Sequence, residues 1–111
     1  MQYLLLIYGD ADVWEGASDE ERQAMYAQYA EVFATPGILG GAELAPRDTA
    51  TTVRVRGGET LTTDGPFVEM KESIGGYYLF EAESLDDAIA VAARIPGAQH
   101  GAIEVRPVVE R

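Results

Sequence analysis

Asp64 and His100 are the residues of this chain best suited to moving a proton. His100 is the single histidine, and an imidazole titrates close to neutral pH. It lies two residues ahead of an alternating apolar segment, in the kind of connection that often carries function. Asp64 opens the run Asp64-Gly65-Pro66-Phe67. Asp hydrogen-bonds to nearby backbone, Gly permits positive φ and Pro fixes φ, so the run is turn chemistry. Two readings of Asp64 stand side by side. It either builds the turn, or it is a carboxylate held at a pocket mouth, orienting a histidine or acting as a general base. His100 is likewise either a surface or capping residue or, with Asp64 in hydrogen-bond reach, an acid–base group of fixed tautomer. Phe67 is expected to anchor the loop in the core.

Glu104 and Arg106 share one face of the last apolar segment, with Ile103 and Val105 on the other. They form either an ordinary ion pair of a sheet or an anion clamp, with Arg106 holding a carboxylate or phosphate. Lys71 is the only lysine and, with Glu72, follows the motif loop. It is either a solvated ion-pair partner or a substrate contact. Tyr8, Tyr77 and Tyr78 are either pocket walls or core and interface anchors, and Glu43 is a further carboxylate. The candidate site is therefore Asp64 and His100 as catalytic groups, with Arg106, Glu104, Tyr78 and Lys71 binding substrate. This inventory suits a lyase, isomerase or hydrolytic step on a small organic molecule, and an acidic ligand in particular. The competing reading is a non-catalytic binding or regulatory protein, holding an acidic metabolite or meeting a basic protein face.

Other chemistries lack their residues. One histidine and no cysteine do not make an all-protein zinc site, and no metal or cofactor is expected. Gly40-Gly41, Gly57-Gly58 and Gly75-Gly76 match neither a phosphate loop nor a dinucleotide fingerprint. No Gly-x-Ser-x-Gly elbow occurs. With 8 Lys+Arg against 19 Asp+Glu, a net charge of −11 argues against direct nucleic-acid binding and against anionic membranes. The absence of cysteine points to the reducing cytoplasm. The apolar start, Tyr3 to Ile7, lacks a positive flank and is too short for a signal peptide or membrane span.

The elements that must position these groups are legible. Gln2–Tyr8 reads as a strand apolar on both faces, which therefore needs cover on both. Asp10–Ala17 reads as a loop. Ser18 with Glu21 is a capping box opening a helix to about Thr35, with Met25, Tyr29, Val32 and Phe33 as its core stripe. Strands follow at Ile38–Leu44 and Thr51–Arg56, then a Gly57-Gly58 turn and a return over Glu59–Thr62. Asp64–Ile74 is irregular or holds a turn of helix, and Gly75–Ala82 is a strand. Ser84 caps a second helix whose core stripe is Leu85, Ala88, Ile89 and Ala92. Ala102–Val108 is the last strand. The fold class is α+β, a ferredoxin-like split βαβ with an inserted β-hairpin, in one domain over residues 1–111. Two helices cover one face of such a sheet, so the other face calls for a homodimer.

Several stretches, taken in order, resemble the YCII-related, or DGPF, family. They are Tyr3-Leu4-Leu5-Leu6-Ile7-Tyr8, Gly40-Gly41-Ala42-Glu43-Leu44-Ala45-Pro46, Thr52-Val53-Arg54, Thr63-Asp64-Gly65-Pro66-Phe67-Val68-Glu69 with Lys71-Glu72, Gly75-Gly76-Tyr77-Tyr78, Ala88 with Ala92-Ala93, and His100-Gly101 with Ile103-Glu104-Val105-Arg106-Pro107. Met70 departs, standing where the family more often has threonine. The resemblance implies a dimeric α/β-barrel protein. It implies no single activity. Some relatives carry a His-Asp pair in a pocket, and others are associated with transcription initiation through sigma factors.

Overall fold

The computed structural model describes residues 1–68 and 71–111. Glu69 and the departure at Met70 lie outside the described residues. The elements are β1 (Gln2–Asp10), α1 (Ala11–Glu15), α2 (Asp19–Phe33), β2 (Ile38–Glu43), β3 (Thr51–Arg56), β4 (Glu59–Asp64), β5 (Glu72–Glu81), α3 (Leu85–Ala92), α4 (Gly97–His100) and β6 (Ala102–Pro107), with a 3₁₀ turn over Arg47–Thr49. Four strands form one antiparallel sheet in the order β2-β5-β1-β6. β1 and β2 therefore run parallel with β5 between them, and β5 and β6 run parallel with β1 between them. Two split β-α-β units interleave. β3 and β4 form a separate two-stranded ribbon.

Period-two alternation sorts the sheet into two faces. On β1, Tyr3 and Leu5 are buried. Leu5 lies opposite Tyr78 on β5 and Val105 on β6, and Tyr3 lies opposite Phe80. Val32 of α2 and Ala88 and Val91 of α3 pack on this row, with Ile95 just beyond α3. Leu5, Val32 and Ile95 are completely enclosed. Each such side chain contributes about 1.5–3 kcal/mol through burial.

The helices begin where their caps dictate. The Glu21 backbone N–H donates to Ser18 Oγ (3.1 Å) and the Ser18 N–H donates to Glu21 Oε1 (3.2 Å), closing the capping box. Ser84 Oγ accepts from the Asp87 N–H at 3.2 Å. Between α2 and β2, Gly37 sits at φ 99°. A Cβ there would stand 2.6 Å from the Glu81 carbonyl oxygen and 2.7 Å from the Phe80 ring, so only glycine lets the chain turn this close to β5.

Several expectations need correction, and Phe33, expected in the α2 core stripe, is 51% exposed. Asp10–Ala17 is not all loop. Asp10 Oδ1 accepts from the Asp12 N–H (2.9 Å) and caps the short helix α1. On α3 the buried stripe is Ala88, Val91 and Ala92, continued by Ile95, while Leu85 and Ile89 are half exposed. Phe67 is not a core anchor. It is 70% exposed, with the Arg54 guanidinium 5.0 Å from its ring centroid.

Candidate functional site

The face of the four-stranded sheet turned away from the helices is open. Leu4 lies opposite Leu79 and Arg106, and Leu6 lies opposite Tyr77 and Glu104. Tyr8 lies opposite Ile74 on β5 and Ala102 on β6. Leu4, Leu6, Tyr8, Leu79 and Glu104 are half-buried, and Tyr77 and Ile74 are exposed. The result is an apolar floor with one charged pair at its β6 edge. The Cα envelope is only 18 Å thick, the depth of one sheet and one helix layer, so no second layer lies over this floor.

Arg106 and Glu104 are neighbours on this face, with Arg106 Nη2 paired to Glu104 Oε2. That carboxylate oxygen is buried and makes no hydrogen bond of good geometry among the described residues. The Arg106 side chain is 68% exposed. Its guanidinium therefore keeps donors free above the apolar floor, where a carboxylate would meet them.

The other candidates are placed elsewhere. Tyr78 is on the helix face, buried, and its hydroxyl donates to the Tyr29 carbonyl at 3.0 Å. Burial, then the neighbouring Tyr29 hydroxyl, pushes the Tyr78 hydroxyl up to about 12. Burial is also the main cause raising Tyr29. Lys71 reaches Asp10 Oδ2 at 3.7 Å with its side chain 82% exposed, an ion pair in water. Glu43 accepts from the Tyr26 hydroxyl at 3.3 Å.

His100 is the exposed last residue of α4. That helix packs on the helix side of the sheet. A Cβ on Gly97, its first residue, would meet Ile7 and the Tyr29 hydroxyl. The imidazole lies close enough to Glu21 of α2 to act on its charge. Glu21 is held below the usual carboxylate range, chiefly by the Ser18 backbone N–H and least by His100.

Asp64 ends β4, opposite Thr51 on β3, and is exposed. Its turn is closed by other groups: the Gly65 N–H donates to the Ala50 carbonyl (2.7 Å), and Thr52 Oγ1 donates to the Gly65 carbonyl (2.8 Å). Gly65 has the positive φ, 98°, that this turn requires. Within one chain, then, Arg106 and Glu104 stand on the open face, His100 on the helix side and Asp64 on the ribbon. Among the described residues no hydrogen bond or ion pair joins Asp64, His100 and Arg106.

Residue types alone did not reveal one further cluster. Arg22 donates from Nε to the Trp14 carbonyl (3.1 Å) and from Nη2 to the Glu15 carbonyl (3.0 Å). Its guanidinium also lies 5.7 Å from the Trp14 ring centroid. Trp14 meets Tyr26 edge-on at 5.1 Å. Arg22 closes the C-terminus of α1 and ties it to α2, and the only advance signal was the placement of Trp14 before a capped helix.

The architecture defines a small α+β protein with one antiparallel sheet, helices on one face, and a projecting ribbon. A family model for the YCII-related domain matches residues 1–111. An uncharacterized protein of Rhizobium meliloti (strain 1021) is 38% identical over 114 residues, covering 97% of this chain and 92% of the relative. The chain belongs to the YCII-related family. No helix among the described residues is long and apolar enough to cross a membrane.

Proposed function

We propose that this chain is a homodimeric protein that binds a small acidic organic molecule against its open sheet face, with Arg106 as the anion clamp. The observation that carries this reading is the open face itself: Leu4, Leu6, Tyr77 and Leu79 form a floor for an apolar body, and a guanidinium with free donors stands beside it. Glu104 fixes the guanidinium and keeps a second anion from entering on its side. In this reading two such faces meet as a dimeric α/β barrel and enclose the ligand. An apolar face of this kind is what an association surface offers.

Binding is favoured over acid–base catalysis as the first function because the groups suited to proton transfer are not on this face. His100 and the Arg106 clamp belong to opposite sides of one sheet. Chemistry by Asp64 and His100 on a ligand held at Arg106 needs groups from more than one chain.

The test pairs light scattering with binding of small carboxylates. A dimer has a mass of about 24 kDa, twice the 12.0 kDa chain. Titration with an aromatic and an aliphatic monocarboxylate, followed by NMR of the arginine side chains, should move the Arg106 resonance. Arg106→Ala should weaken that binding at least tenfold while leaving the mass at the dimer value. Loss of one charge-assisted pair at a partly exposed site is worth about 1.5–3 kcal/mol. Unchanged binding in the variant, or no response to any carboxylate or phosphate, refutes the clamp.

A further inference from the structure

A second apolar surface is uncovered, and it lies on the ribbon. Paired residues share a face, so Thr51, Val53 and Val55 line one side of β3–β4 together with Asp64, Thr62 and Thr60. The other side carries Thr52, Arg54 and Arg56 with Thr63, Leu61 and Glu59. Phe67 covers part of that second side through its contact with Arg54. The first side has no such cover: Val53 is 59% exposed and Val55 58%. Beyond its base the ribbon has no extensive packing against other described elements. It also stretches the molecule. The radius of gyration is 15.8 Å, against roughly 13 Å for a compact chain of this length. An isolated two-stranded hairpin is marginal in water, so this one needs a surface to lie on.

We infer that the β3–β4 ribbon is a dimerisation arm: its Val53–Val55 side lies on a second copy of this chain and carries Asp64 onto that copy's surface. The inference rests on the homodimer reading above. Area selects a second copy as the occupant. Four strands about 4.8 Å apart and six residues long at about 3.4 Å each give the open sheet face a footprint of roughly 400 Å². A stable interface needs about 800 Å² per partner. The arm is two such strands, roughly 200 Å² by the same spacing. Each chain gives one arm and receives one, which doubles the planar footprint of the sheet face and moves the contact toward that standard size. Charge agrees. Residues 51–64 hold Arg54 and Arg56 against Glu59 and Asp64 and are neutral, so the net −11 of the chain lies outside the arm. The side that faces the partner carries Asp64 as its one charged group, with Arg54, Arg56 and Glu59 on the other side, so the arm meets an acidic second copy with little repulsion. Because Asp64 shares the valine side, the carboxylate is presented to the partner, and the site of each copy is completed by the other's arm.

The chain has no cysteine, which makes single-cysteine labelling clean. Val55→Cys and Thr60→Cys report on the arm, and Val109→Cys, at a position 70% exposed, is the reference. Each variant is reacted with a maleimide at protein concentrations above and below dimer dissociation, with mass followed by light scattering. In the dimer the two arm thiols should react at least tenfold more slowly than the reference, and all three rates should converge on dilution. Arm thiols that react at the reference rate in a sample that scatters as a dimer overturn the arm and leave the homodimer standing. A wild-type monomer at every concentration overturns both. If Val55→Cys alone is monomeric while wild type is dimeric, the arm is required for association, which supports the inference, and Thr60→Cys carries the labelling comparison.

Discussion

Removing one hydroxyl from the core separates two roles for Tyr78. Its ring is buried between sheet and helices, and its hydroxyl donates to the Tyr29 carbonyl at 3.0 Å. Tyr78→Phe keeps the ring and deletes that hydrogen bond. At pH 7 the loss should cost about 1 kcal/mol, the net worth of one such bond. Alkaline pH reverses the comparison. The hydroxyl titrates near pH 10 in the unfolded chain and is pushed up to about 12 in the fold, first by burial and then by Tyr29. A raised pKa contributes stability that is complete below pH 10 and is lost as pH rises toward 12. By pH 11 the wild type should have lost about 1.4 kcal/mol through this residue, one unit's worth. The variant has nothing to lose there, so it should match or exceed wild type above about pH 11. Urea melts at pH 7, 9, 10 and 11, followed by circular dichroism at one fixed protein concentration, test this, since the proposed association would make stability concentration-dependent. Parallel stability curves between pH 9 and 11 would refute the argument. Carboxylate binding should be unchanged in Tyr78→Phe, because the hydroxyl faces away from Arg106.

Two further changes probe how the elements are started and turned. Ser18→Ala removes the acceptor for the Glu21 N–H and should cost about 1 kcal/mol in a urea melt. Glu21 is held low mainly by the Ser18 backbone N–H, so its contribution is present above the ordinary carboxylate range and lost as pH falls through its lowered value. Glu21→Gln should therefore flatten the acid limb of the stability curve, and an unaltered limb would count against the capping box. Gly37→Ala forces a Cβ to within 2.6 Å of the Glu81 carbonyl at φ 99° and should cost about 2–3 kcal/mol. A neutral result in the same melt would mean that the turn relaxes.

Much of the fold was legible because its signals are local. Ser18 with Glu21 and Ser84 with Asp87 marked both long helices, and both caps form. Gly57-Gly58 marked the hairpin, and both residues have positive φ, as a tight two-residue turn needs. What failed is non-local. The α3 stripe slipped because hydrophobicity favours Leu85 and Ile89, whereas the tertiary contacts bury Ala88, Val91 and Ala92, with Ile95 beyond them. β5 begins at Glu72, not Gly75, because its first residues pair with Gly9 and Asp10 of β1 rather than following their own propensity. The site suffered most. Glu104 and Arg106 were correctly read as one face because alternation is a property of one strand. The meeting of Asp64 with His100 depends on tertiary distance, which neither residue's neighbours encode.

The sheet divides the chemistry of this chain, and the division bears on what kind of protein it is. A catalytic site that served one chain alone would gather its proton carrier and its anion clamp on one side of a barrier. Here β1 and β6 hold Leu5 and Val105 toward the helices and Leu4 and Arg106 toward the open face, so His100 on α4 and Arg106 are kept apart by the strands that carry the clamp. No rotamer change crosses that layer. The ribbon stands outside that sheet. Asp64 is held at its base by the Gly65 and Thr52 hydrogen bonds, rigid with respect to the ribbon and exposed to whatever the ribbon touches. On the proposed homodimer, the Asp-Gly-Pro-Phe turn would be the hinge end of an intermolecular arm, and a ligand at Arg106 would meet residues of two chains.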